Sequence, residues 1–341
     1  METVFIDGSR GEGGGQILRT SLTLACVTGK HLRMENIRAA RRKPGLARQH
    51  LSCVHAACEI CDGQCRGDAL GSQVIDFQPR PIRGDNYSFD IGSAGSASLV
   101  IQTVLPALFL AGQPSSVTVT GGTHNPWAPP FDFLRETFLP AIATAGFQAD
   151  CRLIKPGFFP AGGGKITFNI QPWHTEAGQA IDLCKSDSNP EIHARIYTAR
   201  LPEQIAQKQR TLLLQSKLNI KHIEHIEVTD SDGPGNCLMI RVLNDRTTVF
   251  TAFGMRRKPS RDVVNEAVKL AGDFLASGAT VDRYLADQLL IYMAISKAGG
   301  FTTNELSTHL TTNIETIKKF LPVNFKTEHQ DGISRISCTQ V

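Results

Sequence analysis

The feature that most constrains the fold is an internal repeat of 83 residues in the first half of the chain. A glycine-rich turn at 8–16 leads into an apolar helix predicted over 17–27, and a similar turn at 92–97 leads into a helix predicted over 98–110. Each helix is followed by a predicted strand and a further helix. Such units bury their apolar faces best against one another, so the repetition predicts a large domain of equivalent strand–helix–strand–helix units.

A third copy of this unit is predicted near the C-terminus. An apolar helix at 284–298 precedes a strand at 301–306 and a second helix at 310–320, with two strands to follow. His309 lies at the junction before the second helix, where copy one has the cations of 38–43 and copy two a polar turn. Neutral imidazole is nucleophilic, and the other candidate segments are suited to holding phosphates rather than attacking them. We therefore predict that His309 is the nucleophile of an active site.

Copies two and three are separated by a segment with a different pattern. It predicts a compact α/β insert with strands at 191–199, 222–229, 238–243 and 247–253 and helices at 202–217 and 261–276. Ser186 to Pro190 is a predicted linker. The expected domains are residues 1–185 (two repeats and the start of the third region), the insert at 186–278, and the third repeat at 279–341. His222 and His225 alternate along a strand without ligand partners, so both are predicted to be surface residues.

Composition narrows the class of protein. The chain has 341 residues, 41% of them hydrophobic, and no apolar run approaches the roughly 20 residues that span a bilayer. Nine scattered cysteines fit reduced thiols better than a disulfide framework. We therefore expect a cytoplasmic globular protein without a membrane partner. A net charge of +4 is too small to identify a nucleic-acid partner, so the placement of the charges must decide.

Three segments are candidates for binding phosphate. The turn at 8–16 joins a strand to a helix N-terminus, which favours anions, although it lacks both the Walker lysine and the third glycine of a dinucleotide site. Five cations (Arg38, Arg41, Arg42, Lys43 and Arg48) stand within eleven residues without an interleaved acid. Gly162 to Lys165 is the third candidate. A tight turn, a solvated basic turn and a hairpin turn are the respective alternatives.

Cys53, Cys58, Cys61 and Cys65 follow one another closely enough to suggest a zinc or iron–sulfur site. However, two of them share a helical stripe with Leu51 and Val54, where cysteine acts as a small hydrophobe. We favour the core interpretation, and a redox role of these thiols stays open.

Several motifs then coincide in order along nearly the whole chain. They are GEGGGQILR (11–19), RxxRxKPGLxRQH (38–50), GSAGS (92–96), QTVLPAL (102–108), APP (128–130), GFFPAGGG (157–164), GPGN (233–236), YLADQ (284–288) and HLTTNI (309–314). Together they resemble the RNA 3′-terminal phosphate cyclase family. The resemblance implies an α/β (α+β) fold in which three βαβαββ units, similar to the C-terminal domain of translation initiation factor three, form a large domain with a smaller α/β insert.

The resemblance also implies an activity. The family's reaction is the ATP-dependent conversion of an RNA 3′-terminal phosphate to a 2′,3′-cyclic phosphate. A histidine takes AMP from ATP, AMP passes to the RNA 3′-phosphate, and the adjacent 2′-hydroxyl displaces it. The implied co-substrate is ATP, the implied metal is Mg²⁺ or Mn²⁺, and the implied partner is an RNA with a 3′-terminal phosphate.

Residue by residue, the resemblance assigns His309 as the nucleophile and Glu12 as the metal contact. The adenylate would be held by Gln102, Pro129, Asp132, Tyr284, Leu285, Ala286, Asp287 and Gln288. The triphosphate or RNA phosphates would face Arg19, Arg38, Arg41, Lys43, Gln49 and His50. Two alternatives stay open, a non-catalytic RNA-binding or assembly protein of the same fold and a nucleotidyl-transferring enzyme for another phosphate-ended nucleic acid. The RNA sequence, the oligomeric state and the role of the insert are not predicted.

Overall fold

A computed structural model describes residues 2–174, 180–185, 189–330 and 332–341. The first repeat comprises β1 (Thr3–Asp7), α1 (Gly15–Thr28), β2 (His31–Glu35), α2 (Arg48–Ile60), β3 (Gln64–Arg66) and β4 (Ile75–Gln78). Its four strands form one sheet in the order β1-β2-β4-β3, in which only β1 and β2 are parallel. Helix α1 ends at Gly29, which adopts the left-handed conformation that glycine accepts without strain.

The second repeat has the same order of elements. It comprises β5 (Asn86–Asp90), α3 (Ala97–Leu108), β6 (Ser115–Gly121), α4 (Phe131–Phe133), a π-helical turn (Leu134–Phe138), α5 (Leu139–Ala143), β7 (Ala149–Lys155) and β8 (Gly164–Ile170). The sheet order β5-β6-β8-β7 reproduces that of the first repeat. Lys165 is exposed within β8, so the segment before it serves as a hairpin connection between β7 and β8.

The third repeat begins before the insert and is completed after it. Its elements are β9 (Ile181–Leu183), α8 (Arg283–Ser296), β14 (Ala298–Thr303), α9 (Thr308–Phe320), β15 (Val323–Gln330) and β16 (Ile333–Gln340). Strand β9 pairs in parallel with β14, and the order β9-β14-β16-β15 repeats the same topology. The prediction of three βαβαββ units is confirmed. The insert interrupts the third unit after its first strand, β9. This strand has only three residues, which is too short to recognise in the sequence.

The insert forms its own four-stranded sheet. It comprises β10 (Glu191–Ala199), α6 (Glu203–Leu214), β11 (Ile220–Val228), β12 (Gly235–Leu243), β13 (Thr248–Phe253) and α7 (Ser260–Ser277), with strand order β11-β10-β12-β13. This confirms the α/β insert, and His222 and His225 are exposed on the edge strand as predicted. The exact domain boundaries stay predictions, and Ser186–Ser188 of the predicted linker lie outside the described residues.

The buried hydrophobic residues form three clusters. One continuous hydrophobic cluster contains buried residues of all three repeats, so none of the three is an independent folding unit. A separate cluster lies between the insert's sheet and its helices. A third, smaller cluster joins the opposite face of that sheet to Phe158 of the second repeat. Among the described residues, no helix is both long and apolar enough to cross a membrane.

A buried charge network lies between the second repeat and the insert. The Asp132 carboxylate is fully buried and accepts hydrogen bonds from Arg195 Nη1 at 2.6 Å and the Tyr197 hydroxyl at 3.0 Å, both on β10. It also contacts His124 Nε2 at 3.0 Å. Burial by itself would raise the pKa of Asp132, but the contacts with His124 and Arg195 outweigh it and hold the carboxyl ionised.

We expect Asp132→Ala to lower the free energy of unfolding by about 3 kcal/mol, because it leaves the buried His124 imidazole and Tyr197 hydroxyl without their shared partner. Arg195 keeps its pairing with Glu136 and Glu224. Urea unfolding followed by fluorescence measures this change. The matched control is Asp68→Ala, which removes an exposed partner of His55 and should cost at most about 1 kcal/mol. Equal effects of the two substitutions would contradict a stabilising role for the network.

Candidate active site

A cavity of about 970 Å³ opens where the three repeats and the insert meet. Its wall combines the start of α1, one face of α8, the start of α9, the segment 126–130, and β13 with the segment that follows it. The cavity brings together most of the residues predicted for the site. These are Glu12, Arg19, Arg38, Arg41, Gln49, His50, Gln102, Pro129, Tyr284, Asp287, Gln288 and His309.

His309 is the second residue of α9 and is half-buried. The helix starts there because Ser307 caps it, its side chain accepting a hydrogen bond from the Leu310 backbone N–H at 3.1 Å. His309 Nδ1 is hydrogen-bonded to Gln16 Oε1. The Gln16 amide donates from Nε2 to Asp287 Oδ2 at 2.8 Å, which orients its oxygen toward the histidine. Nδ1 therefore carries the proton, and the lone pair of Nε2 is free.

The surroundings of His309 keep the imidazole neutral. Burial lowers its pKa below the ordinary value, and the positive charges of Arg19, Arg283 and Arg41 lower it further. A neutral imidazole with one nitrogen fixed as a donor is the form that can attack an electrophile through the other nitrogen.

Asp287 has the opposite shift. Burial raises its pKa to about 7, although the hydrogen bond from Gln16 and the charge of Arg19 act against this rise. Its backbone oxygen accepts from Asn313 Nδ2 at 2.9 Å, while Asn313 Oδ1 accepts from the Thr20 hydroxyl at 2.7 Å. Helices α1, α8 and α9 are thus connected by side-chain hydrogen bonds around His309.

One side of the cavity is suited to anions. Arg19, Arg38 and Arg41 line it beside the first turn of α1, which has no side-chain cap. His50 lies against that turn so closely that a Cβ on Gly15 would come within 2.2 Å of His50 Nε2, which is why glycine stands there. Burial and the three arginines lower the pKa of His50 to about 3, so it is neutral. Of these guanidinium groups only that of Arg41 is paired with a carboxylate of the described residues. Guanidinium groups near the uncapped N-terminus of a helix favour a phosphate.

Glu12 is the only predicted metal contact, and it lines the same side. Its carboxylate is paired with Arg41 and accepts from the Gly14 backbone N–H at 2.8 Å. Within the described parts of the chain, no three His, Cys, Asp or Glu side chains are grouped to hold a metal. One carboxylate fits Mg²⁺, which commonly takes its other ligands from water and substrate phosphates. The donor set therefore suits a metal that arrives with a nucleotide.

The other side of the cavity has amide and flat side chains. Gln102 Nε2 is hydrogen-bonded to Gln288 Oε1, and Gln288 Nε2 donates to the Tyr284 backbone oxygen at 2.7 Å. The guanidinium of Arg283 lies over the Tyr284 ring, 5.4 Å from its centroid. With Pro129 nearby on the wall, these groups offer hydrogen bonds and a planar face, which is what a nucleobase requires.

Four predicted contacts are placed elsewhere. Asp132 belongs to the buried network described above, and Leu285 and Ala286 face the hydrophobic core because they lie on the opposite side of α8 from Tyr284 and Asp287. Lys43 is exposed on the basic turn and does not line the cavity. Position within a motif alone could not separate these residues from the cavity-facing ones.

Three residues that organise the site were not predicted from the sequence: Gln16, Asn313 and Arg283. Gln16 stands where a dinucleotide fingerprint has its third glycine, and a polar residue at the start of an apolar helix is a signal in itself. Asn313 belongs to the HLTTNI motif, where a spacing of four from His309 places it on the same face of a helix. Arg283 directly precedes YLADQ and had no signal of its own.

The cysteines take no part in this cavity. Cys53 and Cys61 are buried in the main core, and Cys58 and Cys65 pack against it. This placement fits the interpretation of cysteine as a small hydrophobe.

Comparison with known proteins gives consistent matches over nearly the whole chain. A family profile described as RNA 3′-terminal phosphate cyclase matches residues 10–327. Curated proteins of that name include one from Koribacter versatilis, 43% identical over 343 residues, covering 99% of this chain and 95% of the relative. The protein from Ralstonia nicotianae is 44% identical over 332 residues, covering 97% and 95%. That from Pseudomonas fluorescens is 42% identical over 328 residues, covering 96% and 94%.

The raised pKa of Asp287 predicts a pH-dependent stability. The native state binds this proton more tightly than the unfolded chain, whose pKa is near 3.8, so the stabilising contribution declines from that pH and is lost above about 7. Asp287→Asn should therefore reduce the difference in unfolding free energy between pH 5 and pH 8, as measured by urea unfolding. The exposed control Asp150→Asn should keep the wild-type difference, and an unchanged difference in Asp287→Asn would contradict the shift.

Proposed function

This chain belongs to the RNA 3′-terminal phosphate cyclase family, and on that premise we propose that it converts an RNA 3′-terminal phosphate to a 2′,3′-cyclic phosphate at the expense of ATP. The observation that carries the proposal is the state of His309. Its imidazole is neutral, its Nδ1 is fixed as a donor by Gln16, and its Nε2 is free in a cavity lined by arginines. The cavity volume of about 970 Å³ is at the upper end of the range of ligand sites and can hold a nucleotide.

In the first step, His309 Nε2 attacks the α-phosphorus of ATP. A P–N bond forms, the bond between the α-phosphorus and the bridging oxygen breaks, and pyrophosphate leaves. The imidazole then carries a positive charge, which the hydrogen-bonded chain to Asp287 can offset. Arg19, Arg38 and Arg41 would stabilise the negative charge that gathers on the leaving pyrophosphate.

In the second step, an oxygen of the RNA 3′-phosphate attacks the same phosphorus and the P–N bond breaks, which returns His309 to its neutral form. In the third step, the 2′-hydroxyl attacks the 3′-phosphorus, AMP leaves, and the hydroxyl proton is lost. The last step needs little more than orientation, because the nucleophile is already attached beside the activated phosphate.

We further propose that Glu12 supplies one ligand to Mg²⁺ or Mn²⁺ bound with the ATP phosphates. Such an ion, when bound, screens charge on the phosphates. Glu12 would exchange its pairing with Arg41 for the ion, and Arg41 would then be free to contact a phosphate. Gln102, Gln288, Tyr284 and Pro129 would hold the adenine side of the nucleotide. A cytoplasmic location stays a prediction.

The rival function is RNA binding without catalysis. It leaves unexplained why a histidine would be held neutral with one free nitrogen among three arginines. A hydrogen-bonded positioning chain that fixes a tautomer is expected of a nucleophile rather than of a binding contact.

Incubation with α-labelled ATP and Mg²⁺, followed by a denaturing gel, tests the nucleophile. The wild type should retain label through an acid-labile, alkali-stable bond, and His309→Ala should lower labelling by at least about 1000-fold, because no other group replaces the attacking nitrogen. His193→Ala, which changes a histidine of the insert's sheet, is the matched control and should label normally. Labelling that persists in His309→Ala would place the nucleophile elsewhere.

The identity of the reacting end is tested with three otherwise identical oligoribonucleotides, ending in a 3′-phosphate, a 5′-phosphate with a 3′-hydroxyl, or a 3′-hydroxyl alone. Only the first should discharge AMP from the labelled protein and become resistant to phosphatase, since only it places a 2′-hydroxyl beside an activated phosphate. Discharge by the 5′-phosphate oligonucleotide would support the other nucleotidyl-transfer reaction instead.

A further inference from the structure

The cavity rim carries an exposed tryptophan whose conformation is costly. Trp127 lines the cavity with 81% of its surface exposed, and its backbone φ of 67° lies in the left-handed region that bulky side chains avoid. Its ring contacts Phe159, itself 48% exposed, edge to face with centroids 5.9 Å apart. A strained backbone that holds a large apolar ring in solvent contributes nothing evident to the core and indicates a binding role.

The segment that presents Trp127 is fixed at both ends. Asn125 Nδ2 donates to the Ala94 backbone oxygen at 2.5 Å, and the Phe131 backbone N–H donates to the Thr123 oxygen at 3.0 Å. Pro126 and Pro129 restrict the backbone between these anchors. The ring is therefore held in place before any ligand arrives, which lowers the entropic cost of stacking on it.

The insert contributes a basic segment to the same rim. Met255 and Lys258 line the cavity, and Arg256 and Arg257 between them are exposed. Lys258 is paired with Glu266, whereas neither arginine makes an ion pair with any described residue. Arg256 and Arg257, without an ion-pair partner among the described residues, thus belong to a segment that reaches the cavity lined by Trp127. Exposed cations combined with an exposed aromatic ring are typical of sites for single-stranded nucleic acid.

From this arrangement we propose that the rim binds the single-stranded 3′ end of the RNA, with a terminal base stacked on Trp127 and backbone phosphates contacting Arg256 and Arg257. The inference rests on the proposed function, because that function fixes which end of the RNA faces His309. A nucleobase could also come from ATP, but Trp127 lies at the outermost, solvent-facing part of the wall, whereas ATP must place its α-phosphate at His309. On this proposal the RNA chain leaves the cavity along Trp127, and the insert thereby acquires a role in substrate binding.

Trp127 can report on its own ligand. The chain has two tryptophans, and the other, Trp173, is stacked on Phe147 with centroids 4.7 Å apart and donates to the Ala145 oxygen at 2.9 Å. Titration with a short single-stranded oligoribonucleotide bearing a 3′-phosphate should quench the wild-type fluorescence, and Trp127→Phe should remove that quenching. This readout does not depend on catalysis.

Trp127→Ala should raise the RNA concentration for half-saturation about tenfold, in the range that loss of one stacked base causes. Binding measured by anisotropy and discharge of labelled AMP from the protein should both show this rise. The ATP concentration for half-maximal labelling should change much less. The fold-change for RNA should be at least about five times the fold-change for ATP. Trp127→Phe should stay within about threefold of wild type, since it keeps a stacking face. The control Ile154→Ala removes another exposed apolar residue, on β7, and should change neither value.

The basic segment is tested by salt dependence. Arg256→Gln with Arg257→Gln should reduce the slope of log affinity against log salt by about 1 to 2, and Lys221→Gln on the exposed edge strand should leave it unchanged.

Unchanged RNA binding in Trp127→Ala would overturn the proposal, and so would an effect confined to ATP, because the stacked base would then belong to the nucleotide. A wild type that shows quenching and tighter RNA binding than Trp127→Ala, yet never becomes labelled, would refute the proposed function while supporting the stacking surface.

Discussion

The hydrogen-bonded chain from Asp287 through Gln16 to His309 is the interaction on which the candidate site depends. Its three members come from α8, α1 and α9, so it exists only when the first and third repeats are packed together. It fixes a side-chain tautomer that the backbone alone does not specify. Packing of the first and third repeats and orientation of the His309 imidazole are therefore the same event, since the contacts that join the repeats also hold the ring.

The protonation states around this hydrogen-bonded chain follow from burial and from the nearby charges. Arg19, Arg38 and Arg41 outnumber the carboxylates near them, Glu12 and Asp287, and leave this side of the cavity positive, although the whole chain has a net charge of only +4. Burial first, and then the charges of Arg19 and Arg41, lower the pKa of both His309 and His50 and keep them neutral. A cavity can thus be positively charged and still contain neutral histidines, which neither composition nor net charge indicates.

Much of the fold was predictable from periodicity. The starts of β1 and β5 are separated by the same 83 positions that relate the sequence repeats, and the strands and helices of the insert were predicted to within a few residues. Strand β9 was not, because three residues carry no periodic signal and its partner β14 lies more than a hundred positions away. Asp132 shows the same limit for the site. The family resemblance assigned it to the adenylate, but in the structure it is buried and paired with Arg195 and Tyr197 of the insert.

The sequence by itself determined the repeating unit, the insert, the phosphate-suited turns and the family, because these depend on residue type and on spacing along the chain. The tertiary structure decided which motif residues reach the cavity, which nitrogen of His309 is free, and that Trp127 lines the same cavity as the insert's Met255 and Lys258. These features arise from contacts between residues as much as 293 positions apart. Burial, orientation and local charge are properties of such contacts, and no local pattern in the chain encodes them.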